Sequence, residues 1–216
     1  MKTKTKQLVT AAMFAAIAYV IVAVIRIPII LFLKYEPKDV VIAIAGFLYG
    51  PLTSLAISGV VCLLEMVTIS DTGIIGCIMN MLATCSFACT AAFIYKKRHN
   101  LRGAVEGMII GTVFMTIIML LWNYLITPLY MGYPREAVVE MLLPAFLPFN
   151  LLKGGLNTAI LFLIYKPVVS ALRKAGLVES SKISNTAREK NIGIVIVSSL
   201  LLCTCILYAL SLRGII

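Results

Sequence analysis

Six stretches of this chain are so long and apolar that hydrocarbon, not water, is their natural surroundings. They cover roughly residues 8–33, 40–69, 72–95, 104–131, 141–165 and 192–212. About 20 apolar residues in a helix cross about 30 Å of hydrocarbon. Inside that layer each backbone N–H and C=O needs a partner within its own segment, which selects helices. Composition agrees: 61% of the 216 residues are hydrophobic, 13% are charged and the mean hydropathy is +1.03. A soluble domain carries about 45–50% apolar and about 25% charged residues. A soluble enzyme and a disordered chain are excluded, which leaves one small all-α integral membrane domain.

The net charge of +10 reads as the positive bias of cytoplasmic loops, not as a nucleic-acid surface. Lys2, Lys4 and Lys6 before an apolar run imitate a signal peptide. The run continues to Ile25 and Arg26 without a clear A-x-A cleavage site, so it is expected to stay as the first helix. If each block crossed once from an inside N-terminus, the densest basic loop, Lys96 to Arg102, would fall outside. Gly50-Pro51 is a strong breaker pair within block 40–69. Splitting there gives helices near 38–50 and 52–69 and returns that loop to the inside. Thirteen of the 19 basic residues then lie inside, against Arg26, Lys34, Lys38, Arg135 and Arg213 outside and Lys153 within a span. The second helix is short, about 20 Å. Loop 27–37 is therefore expected to dip into the outer half as irregular backbone beside a cavity.

Cys62, Cys77, Cys85, Cys89, Cys203 and Cys205 all lie in apolar runs without C-x-x-C spacing or a nearby histidine. They read as packing residues; neither a disulfide framework nor a metal site is expected. No catalytic or nucleotide-binding motif is present, and His99 stands in a basic loop. Glu65 reads as a hydrated or hydrogen-bonded carboxylate near a helix end.

The run from Pro144 to Asn157 is different. Asn150, Lys153 and Asn157 follow i, i+3, i+7 and share one helix face. A lysine far from either helix end costs about 2.5–3.5 kcal/mol unless it meets water or a partner. Asn123 and Asn80, on two other helices, fall at a similar outer depth in this topology. Amides at one depth on three helices, with a lysine, indicate an outward-facing polar pocket. Trp122, Tyr124, Tyr130, Phe146 and Phe149 are candidate aromatic walls. A flat neutral ligand rich in hydrogen-bonding groups suits such a lining. Two stripes of small residues, Ala11/Ala15 with Ala12/Ala16 and Gly103/Gly107/Gly111, allow close helix approach.

Over roughly residues 8–175 the chain resembles the riboflavin-specific S-component of energy-coupling factor (ECF) transporters. The resemblance rests on Leu33-Lys34-Tyr35-Glu36-Pro37-Lys38-Asp39-Val40, Gly46-Phe47-Leu48-Tyr49-Gly50-Pro51 and Met79-Asn80-Met81-Leu82-Ala83. Trp122-Asn123-Tyr124 and Phe149-Asn150-Leu151-Leu152-Lys153-Gly154 follow in family order. It implies a six-helix bundle in a bacterial plasma membrane that binds the vitamin from outside, beneath the loop after the first helix. Asn123, Asn150 and Lys153 would then hydrogen-bond riboflavin, with Asn80, Tyr35 and Asp39 at the site or its lid. Ala11, Ala12, Ala15 and Ala16 would face a membrane-embedded coupling subunit, which joins two cytoplasmic ATPases. The chain would be a transport subunit and not an enzyme, with riboflavin as cargo and no catalytic cofactor.

The departure from that family is block 192–212. It is read as a seventh helix that follows a six-helix domain, 1–175, and a polar linker, 176–191, and takes the C-terminus outside. It offers no charge or amide to a pocket, and its Ser198, Ser199, Thr204 and Ser211 suit lipid. Binding is therefore expected to survive its removal. Three other readings stay open: the same scaffold holding another vitamin or precursor, a small intramembrane enzyme using Glu65 or Lys153, and a purely structural membrane protein, which would not need Lys153.

Overall fold

The computed structural model describes residues 3–177 and 190–215. It is an all-helical bundle with one small hairpin. The helices are α1 (Thr3–Val24), α2 (Lys38–Tyr49), α3 (Pro51–Thr68), α4 (Gly73–Arg98), α5 (Leu101–Met131), α6 (Arg135–Lys174) and α7 (Lys190–Leu212). All but α2 are long and apolar enough to cross a membrane. Helix α4 contains a π-helical turn at Cys85–Cys89, and α6 another at Leu142–Phe146, around Pro144. Residues 178–189, most of the expected linker, lie outside the described residues.

The break at Gly50-Pro51 is where the charge pattern requires it. Gly50 adopts φ 98°, a conformation open to glycine, and Pro51 opens α3, where its missing N–H costs no helical bond. The shortness of α2 has a physical reason. Every residue from Lys38 to Phe47 is buried, so α2 is packed in protein on all sides and need not match the bilayer.

The segment after α1 differs from the irregular loop expected. It forms an antiparallel hairpin of β1 (Ile27–Ile30) and β2 (Leu33–Tyr35), with a bulge between Pro28 and Ile30 and Leu31 left-handed at the turn. Pairing the strands satisfies backbone groups that lipid could not. Ile29, Leu33 and Tyr35 point inward and pack with Val138, Phe146, Phe149, Leu152 and Leu156 of α6.

At the opposite end, Lys96, Lys97 and Arg98 occupy the last turn of α4, where cations favour the helix dipole. Arg98 pairs there with Glu106, and Asn100 caps α5 through the Gly103 N–H. The glycine stripe is an internal contact. A Cβ on Gly107 would stand 2.8 Å from the Ala91 carbonyl oxygen, and one on Gly111 2.7 Å from that of Phe87.

The alanine stripe splits. Ala15 is buried and Ala11 packs partly against the core, whereas Ala12 and Ala16 are exposed. Within this chain the core already covers Ala15 and part of Ala11, which leaves Ala12 and Ala16 as the open part of the stripe. Helix α7 is also placed differently from a free lipid-facing helix. Leu202, Cys205, Ala209 and Leu212 pack against the cluster formed by the hairpin and α6. Cys205 Sγ lies where a Gly155 Cβ would meet it at 2.9 Å. Ser198 is buried. Leu200, Leu207 and Tyr208 remain exposed on the outer faces.

Candidate substrate-binding site

A cavity of about 260 Å³ opens at the hairpin end of the bundle. The hairpin contributes Phe32, Leu33 and Lys34, and the α3–α4 turn contributes Ser70, Asp71 and Thr72. Met79, Asn80 and Ala83 come from α4, and Met119, Asn123, Tyr130 and Met131 from α5. Phe149, Asn150 and Lys153 form the α6 wall. Asn80, Asn123, Asn150 and Lys153, which lie far apart in the chain, are thus brought to one cavity.

Tyr35, Asp39 and Asn157 do not line it; they stand behind Lys153 and hold it. Asp39 is fully enclosed, and its Oδ2 lies 3.0 Å from Lys153 Nζ. Thr84 Oγ1 donates to Asp39 Oδ1 at 2.7 Å, and Asn157 Nδ2 to Oδ2 at 3.4 Å. Asn157 Oδ1 in turn accepts from the Tyr35 hydroxyl at 2.9 Å. Lysine reaches its partner without snorkelling, and the buried carboxylate is surrounded by donors, as low-dielectric surroundings demand.

The amides are also anchored. Asn123 Nδ2 donates to the Met119 carbonyl, and its Oδ1 accepts from Thr127. Asn150 Nδ2 donates to the Phe146 carbonyl. An amide has two donors and an acceptor with two lone pairs, so each keeps capacity for a ligand. Among the expected aromatic walls only Tyr130 and Phe149 line the cavity, joined by Phe32 of the hairpin. Phe146 is core, Tyr124 faces Arg135, and Trp122 packs on the core with its buried Nε1 unbonded.

A second charged cluster escaped the sequence reading. Lys38, expected among the outer-loop charges, is completely buried. Its Nζ lies 2.8 Å from Glu36 and 2.5 Å and 2.6 Å from the two oxygens of Glu65. Glu36 also pairs with Arg26 at 3.1 Å, and Glu65 accepts from Asn80 Nδ2 at 3.0 Å. One signal for both clusters was available. Lys153 needs a carboxylate at its depth, and the start of α2 places Lys38-Asp39 there beside Glu65.

A cavity with apolar walls and a few convergent polar groups, inside an apolar helical bundle and beside a hairpin, defines a membrane protein that binds a small molecule. The family model for the substrate-specific component of ECF transporters matches residues 6–165, and the chain belongs to that family. It is 31% identical over 187 residues to the riboflavin transporter FmnP of Bacillus subtilis (strain 168), covering 80% of this chain and 98% of that one. It is 29% identical to the riboflavin transporter RibU of Staphylococcus aureus (strain TCH60), covering 79% and 94%. The solved S component of a bacterial ECF transporter superposes with a TM-score of 0.67 at 30% identity, covering 79% of this chain and 99% of that structure. Helix α7 lies beyond the residues the family model matches.

Proposed function

We propose that this chain is the riboflavin-binding subunit of an ECF-type vitamin importer in a bacterial plasma membrane. One observation carries the reading. Asn80, Asn123, Asn150 and Lys153 meet in one cavity under a hairpin, in a chain similar over nearly the full length of proteins named riboflavin transporters. Amides and an ammonium offer the edge of a flat heterocycle donors and acceptors, while Phe32, Met79, Met119 and Phe149 supply apolar walls. The N-terminus faces the cytoplasm, and riboflavin enters from outside at the hairpin end.

The chain acts as a carrier subunit, not as an enzyme. Energy comes from two cytoplasmic ATPases through a membrane-embedded coupling subunit, which docks on the exposed Ala12/Ala16 face of α1. Residues 1–175 form the binding domain, 176–191 the cytoplasmic linker and 192–216 an added helix.

The test is a titration of the purified protein with riboflavin in detergent, without ATP. Saturable quenching of flavin fluorescence at one ligand per chain is expected. A folded protein that gives no saturable quenching sinks the riboflavin reading; heat protection by a different vitamin would then reassign the scaffold.

A further inference from the structure

Lys38 and Asp39 are consecutive residues at the start of α2, yet they reach in different directions. Asp39 holds Lys153 on α6. Lys38 holds Glu65 on α3, and Glu65 holds Asn80 on α4. Both Lys153 and Asn80 line the cavity. Neither Lys38 nor Glu65 does; both are enclosed.

The chemistry of the Glu65–Asn80 contact dictates its orientation. A carboxylate bonded to an ammonium is an acceptor only, so an amide must meet it with its nitrogen. The Asn80 carbonyl oxygen is left without a protein partner among the described residues. The anchor is stiff, because Lys38 bridges Glu65 and Glu36, and Glu36 is held by Arg26, which donates to the Ile69 carbonyl at 2.9 Å. Arg26 and Lys38 balance Glu36 and Glu65, so the cluster is electrically neutral, as a buried site in an apolar bundle requires.

We propose that Lys38 and Glu65 are positioning residues for ligand selection: they pin the Asn80 amide by its nitrogen and present its carbonyl oxygen to the cavity as an acceptor. Lys153 brings the strong donor and Asn123 the second N–H of its amide, whereas Asn150, its Nδ2 bonded to the Phe146 carbonyl, leaves its carbonyl oxygen open as Asn80 does. The pocket thereby selects a ligand whose polar edge alternates acceptors with an N–H donor, as the imide edge of a flavin does. This inference rests on the riboflavin reading.

Glu65→Gln keeps the side-chain shape but leaves one oxygen, which Lys38 claims. Its amide nitrogen then turns toward Asn80 and reverses the Asn80 amide. Riboflavin affinity is expected to fall about fivefold or more in Glu65→Gln and in Asn80→Ala. Adding Asn80→Ala to the Glu65→Gln protein should cost little further, because the acceptor is already lost. The Lys38→Met/Glu65→Leu protein, which removes a neutral pair and leaves Arg26 to balance Glu36, provides the same cycle if Glu65→Gln folds poorly.

Melting the same proteins without ligand tests the contact itself: Asn80→Ala should lower the melting temperature more in the wild type than in the Glu65→Gln protein. Absence of that coupling overturns the contact. Coupling in melting but additive losses in affinity overturns the positioning role. A folded wild type that does not bind riboflavin overturns both this inference and the functional reading. Wild-type binding with no cycle overturns this inference alone.

Discussion

Asp39 Oδ2 and Lys153 Nζ lie 3.0 Å apart, and the aspartate is wholly enclosed. This pair joins the start of α2 to the wall of the cavity. Removing one partner of a buried pair strands the other charge and costs about 3–5 kcal/mol. Lys153→Met is therefore expected to lower both stability and riboflavin affinity. Adding Asp39→Asn removes the stranded charge, keeps hydrogen-bonding atoms for Thr84 and Asn157, and should recover much of the melting temperature. Binding should stay weak, because the cavity still lacks its ammonium. Recovery of affinity in the double variant would show that Lys153 serves the fold alone.

Ala12 and Ala16 are exposed, whereas Ala15 is buried one residue away. Ala12→Trp and Ala16→Trp are expected to leave riboflavin titrations nearly unchanged and to impair uptake by cells carrying the coupling module. Ala15→Trp should instead overfill the core, at about 1–3 kcal/mol or more, and reduce folded yield. Equal loss of binding in all three would make the whole stripe an internal packing surface.

The seat of α7 on α6 is open to a covalent test. A Cβ at position 155 would lie 2.9 Å from Cys205 Sγ, close to the roughly 3 Å from a Cβ to the far sulfur that an S–S bond of about 2.04 Å gives. Gly155→Cys should therefore form a bond to Cys205 under mild oxidation, seen as two halves that stay joined until reduced when a specific protease site inserted between α6 and α7 is cut. Failure to crosslink, with Cys205 still reactive, would detach α7 from this face. Because α7 packs behind Phe146 and Phe149, wedging it away with Ala209→Trp is expected to weaken riboflavin binding severalfold. The sequence alone suggested no effect of losing this helix.

From the flanking charges, Lys190 at the start of α7 and Arg213 after it, with Arg188 nearby in the chain, we propose that α7 runs from inside to outside. With the native cysteines replaced, a cysteine placed after Arg213 should react with an impermeant thiol reagent added to intact cells. Labelling only after the membrane is opened would reverse the orientation of α7.

What the chain determines by itself is what depends on local sequence. Apolar run length sets the spans, the charge balance between loops requires a break, and Gly50-Pro51 supplies it. Helical periodicity puts Asn150 and Lys153 on one wall, and the family-like segments single out Asn80 and Asn123 as well. The tertiary structure alone decides the long-range pairings. Lys38 reads as an outer-loop charge because nothing local shows that Glu36 and Glu65 converge on it. Asp39 acquires its role from a helix more than 100 residues away. The α1 alanines divide between core and surface because neighbouring helices choose which face of α1 is covered. Helix α7 looks like a lipid-facing appendix because Gly155, the notch that receives Cys205, belongs to another helix. Periodicity specifies faces, and only packing specifies what each face meets.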